Sequence, residues 1–225
     1  HNGKTNRYKF RSRRYVESDL FYFEVKFKNN KGRTIKERIK RPEIVHEITG
    51  KSEELVRSAS PVDPAVLRPR LWVNYMRITF VNKHSQERLT IDTGLHFVEG
   101  GRKVAYDGLV IAEVKQGSGL DKSPFMALMK SKGIRENSIS KYCLGVISLH
   151  PEIKVVAKTS TAAPKKGFKK KTKKAKKGKG KTKEGPESTK IVVEPTEVVL
   201  KFEELYDSYQ LYWGKREERM DLITH

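Results

Sequence analysis

Charged and apolar residues alternate one by one through at least five separate segments of this chain, and a period of two is the period of a β-strand. In residues 20–28, LFYFEVKFK, the apolar set is Phe21, Phe23, Val25 and Phe27, and the opposite set is Tyr22, Glu24, Lys26 and Lys28. Asn29, Asn30, Lys31 and Gly32 read as a hairpin turn, and the return segment puts Thr34, Lys36, Arg38 and Lys40 together. Upstream, Arg7, Lys9, Arg11 and Arg13 share one face against Tyr8 and Phe10. Downstream, Tyr75, Arg77 and Thr79 fall on one face of LWVNYMRITFV, and Arg88, Thr90 and Asp92 on one face of RLTIDTGL. Glu113 and Lys115 pair on GLVIAEVKQ, opposite Val110, Ala112 and Val114. A helix-period pattern would scatter these charges, so the chain is strand-rich.

The ordinary explanation is an antiparallel sheet with one solvated face. Two features argue for something more enclosed. The charged faces carry both signs, as Glu-x-Lys in two strands, and the apolar faces are bulky enough to need covering. The sequence therefore predicts an α+β fold: an antiparallel β tunnel barrel with a charged interior and flanking helices. Such an interior repels itself unless a polyanion and water fill it. The helices are few. Ser123 caps PFMALMKSK with Pro124 at its first position and Gly133 as its stop. KSEELVRSA reads as a short helix, and KYCLGVISL as a helix or strand packed on the outside.

The chain divides into a body at 1–156, a lysine-rich linker at 157–190 and a C-terminal segment at 191–225. The whole carries 48 Lys+Arg against 27 Asp+Glu, a formal +21, which points to nucleic acid, anionic lipid or phosphate-rich ligands. Residues 164–183 hold 12 lysines and no acid, so the linker is expected to be disordered. The C-terminal segment is acidic. Leu205, Tyr209, Tyr212 and Trp213 stand at helical spacing in it, which predicts an amphipathic helix packed on the body. A single cysteine, Cys143, excludes an internal disulfide, fits a reducing, cytoplasmic compartment and reads as a packed apolar residue. No run of 18 apolar residues marks a transmembrane helix. His46, His84, His96 and His150 stand far apart and read as surface residues, not ligands.

Taken in order, KFRSRRY, FEVKFKNNKGRTIKERI, YMRITF with RLTID, IAEVKQ, SPF with GIR, and SISKYCLG resemble the VTC (vacuolar transporter chaperone) domain. That domain is the polyphosphate polymerase branch of the triphosphate tunnel metalloenzyme superfamily. The resemblance covers about residues 7–145. It implies a tunnel of about eight antiparallel strands that binds ATP with Mn²⁺ or Mg²⁺ and transfers the terminal phosphate to a growing polyphosphate chain. Carried over position by position, the phosphate-handling residues are Arg11, Arg13, Lys26, Lys36, Arg77, Arg88 and Lys141. Arg38 and Lys115 stand beside them as further ligand-binding residues, and Glu113 is the metal-binding glutamate. Glu24 and Asp92 are weaker metal candidates, as well read as salt-bridge partners.

One departure is a wall. Family members begin with a Glu-x-Lys strand that this chain does not show ahead of Arg7, so the tunnel is expected to lack a strand and a basic contact, with weak or absent activity. The segment IVVEPTEVVLKF could fill the gap, without the Glu-x-Lys spacing. The linker and C-terminal segment match nothing in the family pattern.

The residue types suit phosphoryl transfer, which needs charge neutralisation and in-line positioning more than covalent help from protein. Two alternatives stay open: a triphosphate hydrolase on the same fold, and a basic module binding RNA non-specifically through the lysine tail. The tail has Phe168 as its single ring, so base stacking is not supported. No P-loop or H-E-x-x-H motif is present.

Overall fold

A computed structural model describes residues 6–31, 33–117, 123–153, 187–193 and 208–224. Among the described residues nine strands form one antiparallel sheet: β1 (Arg7–Tyr15), β2 (Leu20–Lys28), β3 (Thr34–Arg41), β4 (Leu67–Asn82), β5 (Glu87–Glu99), β6 (Arg102–Tyr106), β7 (Val110–Gln116), β8 (Glu187–Val193) and β9 (Tyr209–Thr224). Three helices accompany them: α1 (Lys51–Ala59), α2 (Pro124–Ser131) and α3 (Lys141–Leu149). Most of the sheet is the expected alternation made real, an α+β fold. The β2–β3 hairpin closes at Asn29, whose backbone N–H donates to the Arg33 carbonyl and whose side chain accepts from the Arg33 N–H. Ser123 caps α2 and Ser140 caps α3, each accepting from a backbone N–H three residues on.

The strand order is β3-β2-β1-β9-β4-β5-β7-β8, with β6 paired to β5. Among the described residues β3 and β8 do not pair, so the sheet is open and the expected closed barrel is not seen. A further expectation is corrected. Residues 209–224 of the C-terminal segment are not the expected amphipathic helix. Residues 209–224 are a strand, and it lies between β1 and β4. The reason is legible afterwards: Glu217, Arg219 and Asp221 alternate with Glu218, Met220 and Leu222, and the place between β1 and β4 satisfies the strand's hydrogen bonds on both edges. Strand β9 thus links β1 to β4 in the sheet. Of the segment IVVEPTEVVLKF, expected as a possible filler of the missing wall, Ile191–Val193 belong to β8 and pair with β7. The lysine-rich run at 164–183, with its expected disorder, lies outside the described residues; β8 takes in the last four residues of the expected linker.

Each helix seals one apolar cluster. Leu55 and Val56 of α1 pack on Phe10, Phe23, Val25, Leu67 and Leu222. Phe125 and Met129 of α2 pack on Leu89, Ile91, Ala112, Val114 and Tyr209. Both helices thus cover the face opposite the charges. Helix α3 does the reverse. Its Leu149 joins Leu71, Val73, Tyr75, Leu95, Phe97 and Ile111, on the charged face. Gly145 permits the approach, because a Cβ there would stand 2.5 Å from the Phe97 ring.

That mixed face depends on a register shift between β4 and β5. Arg77 pairs with Asp92 and Val73 with Phe97, so β5 holds one extra residue in between. Gly94, with φ +60°, stands at the bulge. The extra residue reverses the alternation, and Asp92, Leu95 and Phe97 come to the same side.

Candidate functional site

Register places the charges in rows across the sheet. Lys36, Lys26 and Lys9 are neighbours on β3, β2 and β1. The next row is Arg38, Glu24, Arg11 and Asp221, and the next Lys40, Tyr22, Arg13 and Arg219. Tyr75 and Arg77 on β4, Thr90 and Asp92 on β5, and Glu113 and Lys115 on β7 continue the same face.

Three buried carboxylates organise it. Glu24 is bonded by Arg11 Nε at 2.5 Å and Lys36 Nζ at 2.5 Å, with Arg13 Nη2 at 3.9 Å. Burial by itself would raise its carboxyl. Arg11, Arg13 and Lys36 outweigh that and hold it down at about 2. Asp92 takes a two-pronged bond from Arg77, Nε at 2.6 Å and Nη2 at 2.7 Å, and a further bond from the Lys141 ammonium. Against its burial, these two bases hold its carboxyl below the usual range. Glu217 lies between them. It accepts a 2.6 Å bond from the Tyr75 hydroxyl and faces Arg13 Nε at 3.6 Å and Arg77 Nη1 at 3.5 Å.

The bases respond in different ways. Burial pulls on the Arg77 guanidinium, but Tyr75, Asp92 and Glu217 raise it well above its ordinary value. Burial lowers the Lys141 ammonium to about 8, against the opposing pull of Asp92. The Tyr75 phenol is pushed up by burial to about 12. Arg219 and Asp221 pair on β9 itself, at 2.8 Å.

The expected site residues divide accordingly. Arg11, Arg13 and Lys36 meet around Glu24, and Arg77 and Lys141 around Asp92. Glu113 and Lys115 face each other at 3.4 Å on β7. Arg38 is exposed and lies over the Tyr22 ring, 4.8 Å from its centre. Arg88 is exposed beside Lys115, and Lys26 stands half-buried between Lys9 and Lys36. Glu24 and Asp92 are salt-bridge hubs, as one of their two readings had it. Glu217, Arg219 and Asp221 were missed. Their signal was a third run of alternating opposite charges, of the same kind as Glu24-x-Lys26 and Glu113-x-Lys115.

Two further points bear on metals and histidines. Among the described residues no group of three or more His, Cys, Asp or Glu is placed to hold a metal ion. His150, expected at the surface, is instead enclosed: its Nε2 lies 2.6 Å from Glu99 and 2.8 Å from Arg70. No described helix is long and apolar enough to cross a membrane.

Comparison with known proteins gives one result. The VTC domain family model matches residues 1–150. No curated protein and no solved structure matches the chain.

Proposed function

Because this chain belongs to the VTC domain family, whose members sit in the tunnel metalloenzyme superfamily and make polyphosphate, we propose that it is an ATP-dependent polyphosphate-synthesising phosphotransferase. The observation that supports this most is the set of Arg11, Arg13 and Arg77 on one sheet face, joined by Lys141 from α3 and paired with the buried carboxylates Glu24, Asp92 and Glu217.

On this reading the charged face binds the triphosphate of ATP and the end of a polyphosphate chain together. Arginine forks hold phosphate oxygens by paired hydrogen bonds, and lysines act as compact point charges. Glu24 and Asp92 keep those bases from moving as charge shifts during transfer, so little reorganisation accompanies the reaction. Arg77 and the Lys141 side chain at the start of α3 are both largely enclosed, where each charge acts more strongly. The attacking oxygen is the terminal phosphate of the acceptor chain, so no protein nucleophile is needed. Glu113 would hold a divalent cation, with Lys115 beside it; when bound, the ion supplies charge neutralisation across neighbouring phosphate oxygens.

The test is incubation of the purified chain with ATP and Mn²⁺, with and without a short polyphosphate primer, following chain length on gels. Chain growth dependent on ATP is the expected result. Release of free phosphate without growth would assign a hydrolase instead.

A further inference from the structure

The last strand in sequence stands at the centre of the sheet, between the two halves of the site. Among the described residues, β9 alone joins β1 to β4. Its Glu217 is 1% exposed and has a short bond to Tyr75, but its two guanidinium neighbours stand at 3.5 and 3.6 Å. Those contacts are longer than the roughly 2.7–2.9 Å of a charge-assisted hydrogen bond. The guanidiniums also keep donors in reserve. Arg77 commits Nε and Nη2 to Asp92 and turns Nη1 toward Glu217. Arg13 is 8% exposed, and its buried Nε makes no hydrogen bond at all. A buried donor without a partner is a cost that an incoming oxygen relieves.

We propose that Glu217 is a positioning residue: anchored by Tyr75, it sets the spacing of Arg13 and Arg77 in the free protein and is the internal anion that a phosphate group of the substrate replaces between them. The inference rests on the phosphate-binding reading above. It adds that affinity and turnover respond to Glu217 in opposite senses. Removing the carboxylate leaves two buried cations facing one gap, which favours an anionic ligand, while the spacing that catalysis needs is lost.

The experiment uses the full chain as wild type, Glu217→Gln, Glu217→Asp and Tyr75→Phe. Inorganic tripolyphosphate binding is measured by calorimetry, thermal unfolding with and without tripolyphosphate, and polyphosphate synthesis as separate kcat and KM. Glu217→Gln is expected to bind tripolyphosphate about tenfold tighter, the scale of one hydrogen bond to a charged group. It is expected to melt lower alone, with a larger ligand-induced rise, and to lose kcat while KM falls. Glu217→Asp returns the affinity to wild type. Unchanged or weaker tripolyphosphate binding by a cooperatively folding Glu217→Gln overturns the proposal. Should Glu217→Gln not fold, Tyr75→Phe decides, since it cuts the anchor without changing charge: higher affinity with lower kcat supports the proposal, and no change in either overturns it. Should wild type not bind tripolyphosphate, the polyphosphate reading falls, and inorganic phosphate becomes the probe. Stabilisation of Glu217→Gln beyond that of wild type then supports the proposal, and equal or absent stabilisation overturns it.

Discussion

On the β1–β2–β3 side of strand β9, Glu24 gathers Arg11, Arg13 and Lys36, and the Lys36 side chain is 35% exposed. On the β4–β5 side, Asp92 gathers Arg77 and Lys141, which are 15% and 11% exposed. Both hubs are buried carboxylates with cationic partners, yet only the second lies beneath a helix. Attraction between charges scales inversely with the local dielectric, so the same pairing matters more under α3 than at the open β3 edge. The Asp92 side is built for fixed geometry; on the Glu24 side Arg11 and Arg13 are comparably enclosed, at 17% and 9%, and Lys36 is the accessible base.

Four measurements bear on that difference. The largest effect is expected from Asp92→Asn, which leaves Arg77 and Lys141 buried without their anion; loss of a buried partner costs about 3–5 kcal/mol. Urea unfolding measures it, and a loss below about 1 kcal/mol, the level of an exposed pair, would make the two sides alike.

Next is a pair of swaps. Arg77→Lys keeps the charge but loses the fork, and synthesis is expected to fall about 10²-fold, the scale of one lost preorganised donor. Lys36→Arg on the open side is expected to leave synthesis within a few-fold. Equal effects would remove the distinction between fixed and accessible bases.

Acid comes third. The folded-state Glu24 carboxyl lies at about 2, below its ordinary value. A depressed carboxyl contributes stability that is complete above the unfolded value and is lost as pH falls through the folded one. Stability is therefore expected to decline by about 3 kcal/mol between roughly pH 4.5 and 2 from this group alone. Glu24→Gln should flatten that part of the curve; an unchanged slope would mean that other carboxylates carry it.

The smallest effect is alkaline. Lys141 loses its proton near pH 8, so the Asp92 side sheds a positive charge there. Tripolyphosphate binding is expected to weaken a few-fold from pH 7 to pH 9. Lys141→Arg should abolish that step, because a guanidinium stays charged throughout. A step that survives the substitution belongs to another group.

Much of the site was legible because strand periodicity is local. Arg11, Arg13, Lys36, Arg77 and Glu113 were assigned to charged faces from alternate spacing, and register puts them on one face. Where the period broke, legibility failed. The bulge at Gly94 reverses the alternation within β5, so no count by twos connects Asp92 to Phe97. The C-terminal residues misled for a related reason. Aromatic spacing at Tyr209, Tyr212 and Trp213 fits a helix as well as a strand, and the alternation that decides between them starts only at Glu217.

By itself, then, the sequence determined β1 to β5 and β7, their charged faces, the capped helix α2 and the family pattern, because each follows from the identity of residues a few positions apart. The tertiary structure alone decided which strand lies beside which. Placing residues 209–224 between β1 and β4 depends on an unfilled position bounded by two distant segments, and no local preference encodes that. The same holds for Glu217. Its position in the sequence marks it as one acid among several, and only the assembled sheet sets it between Arg13 and Arg77.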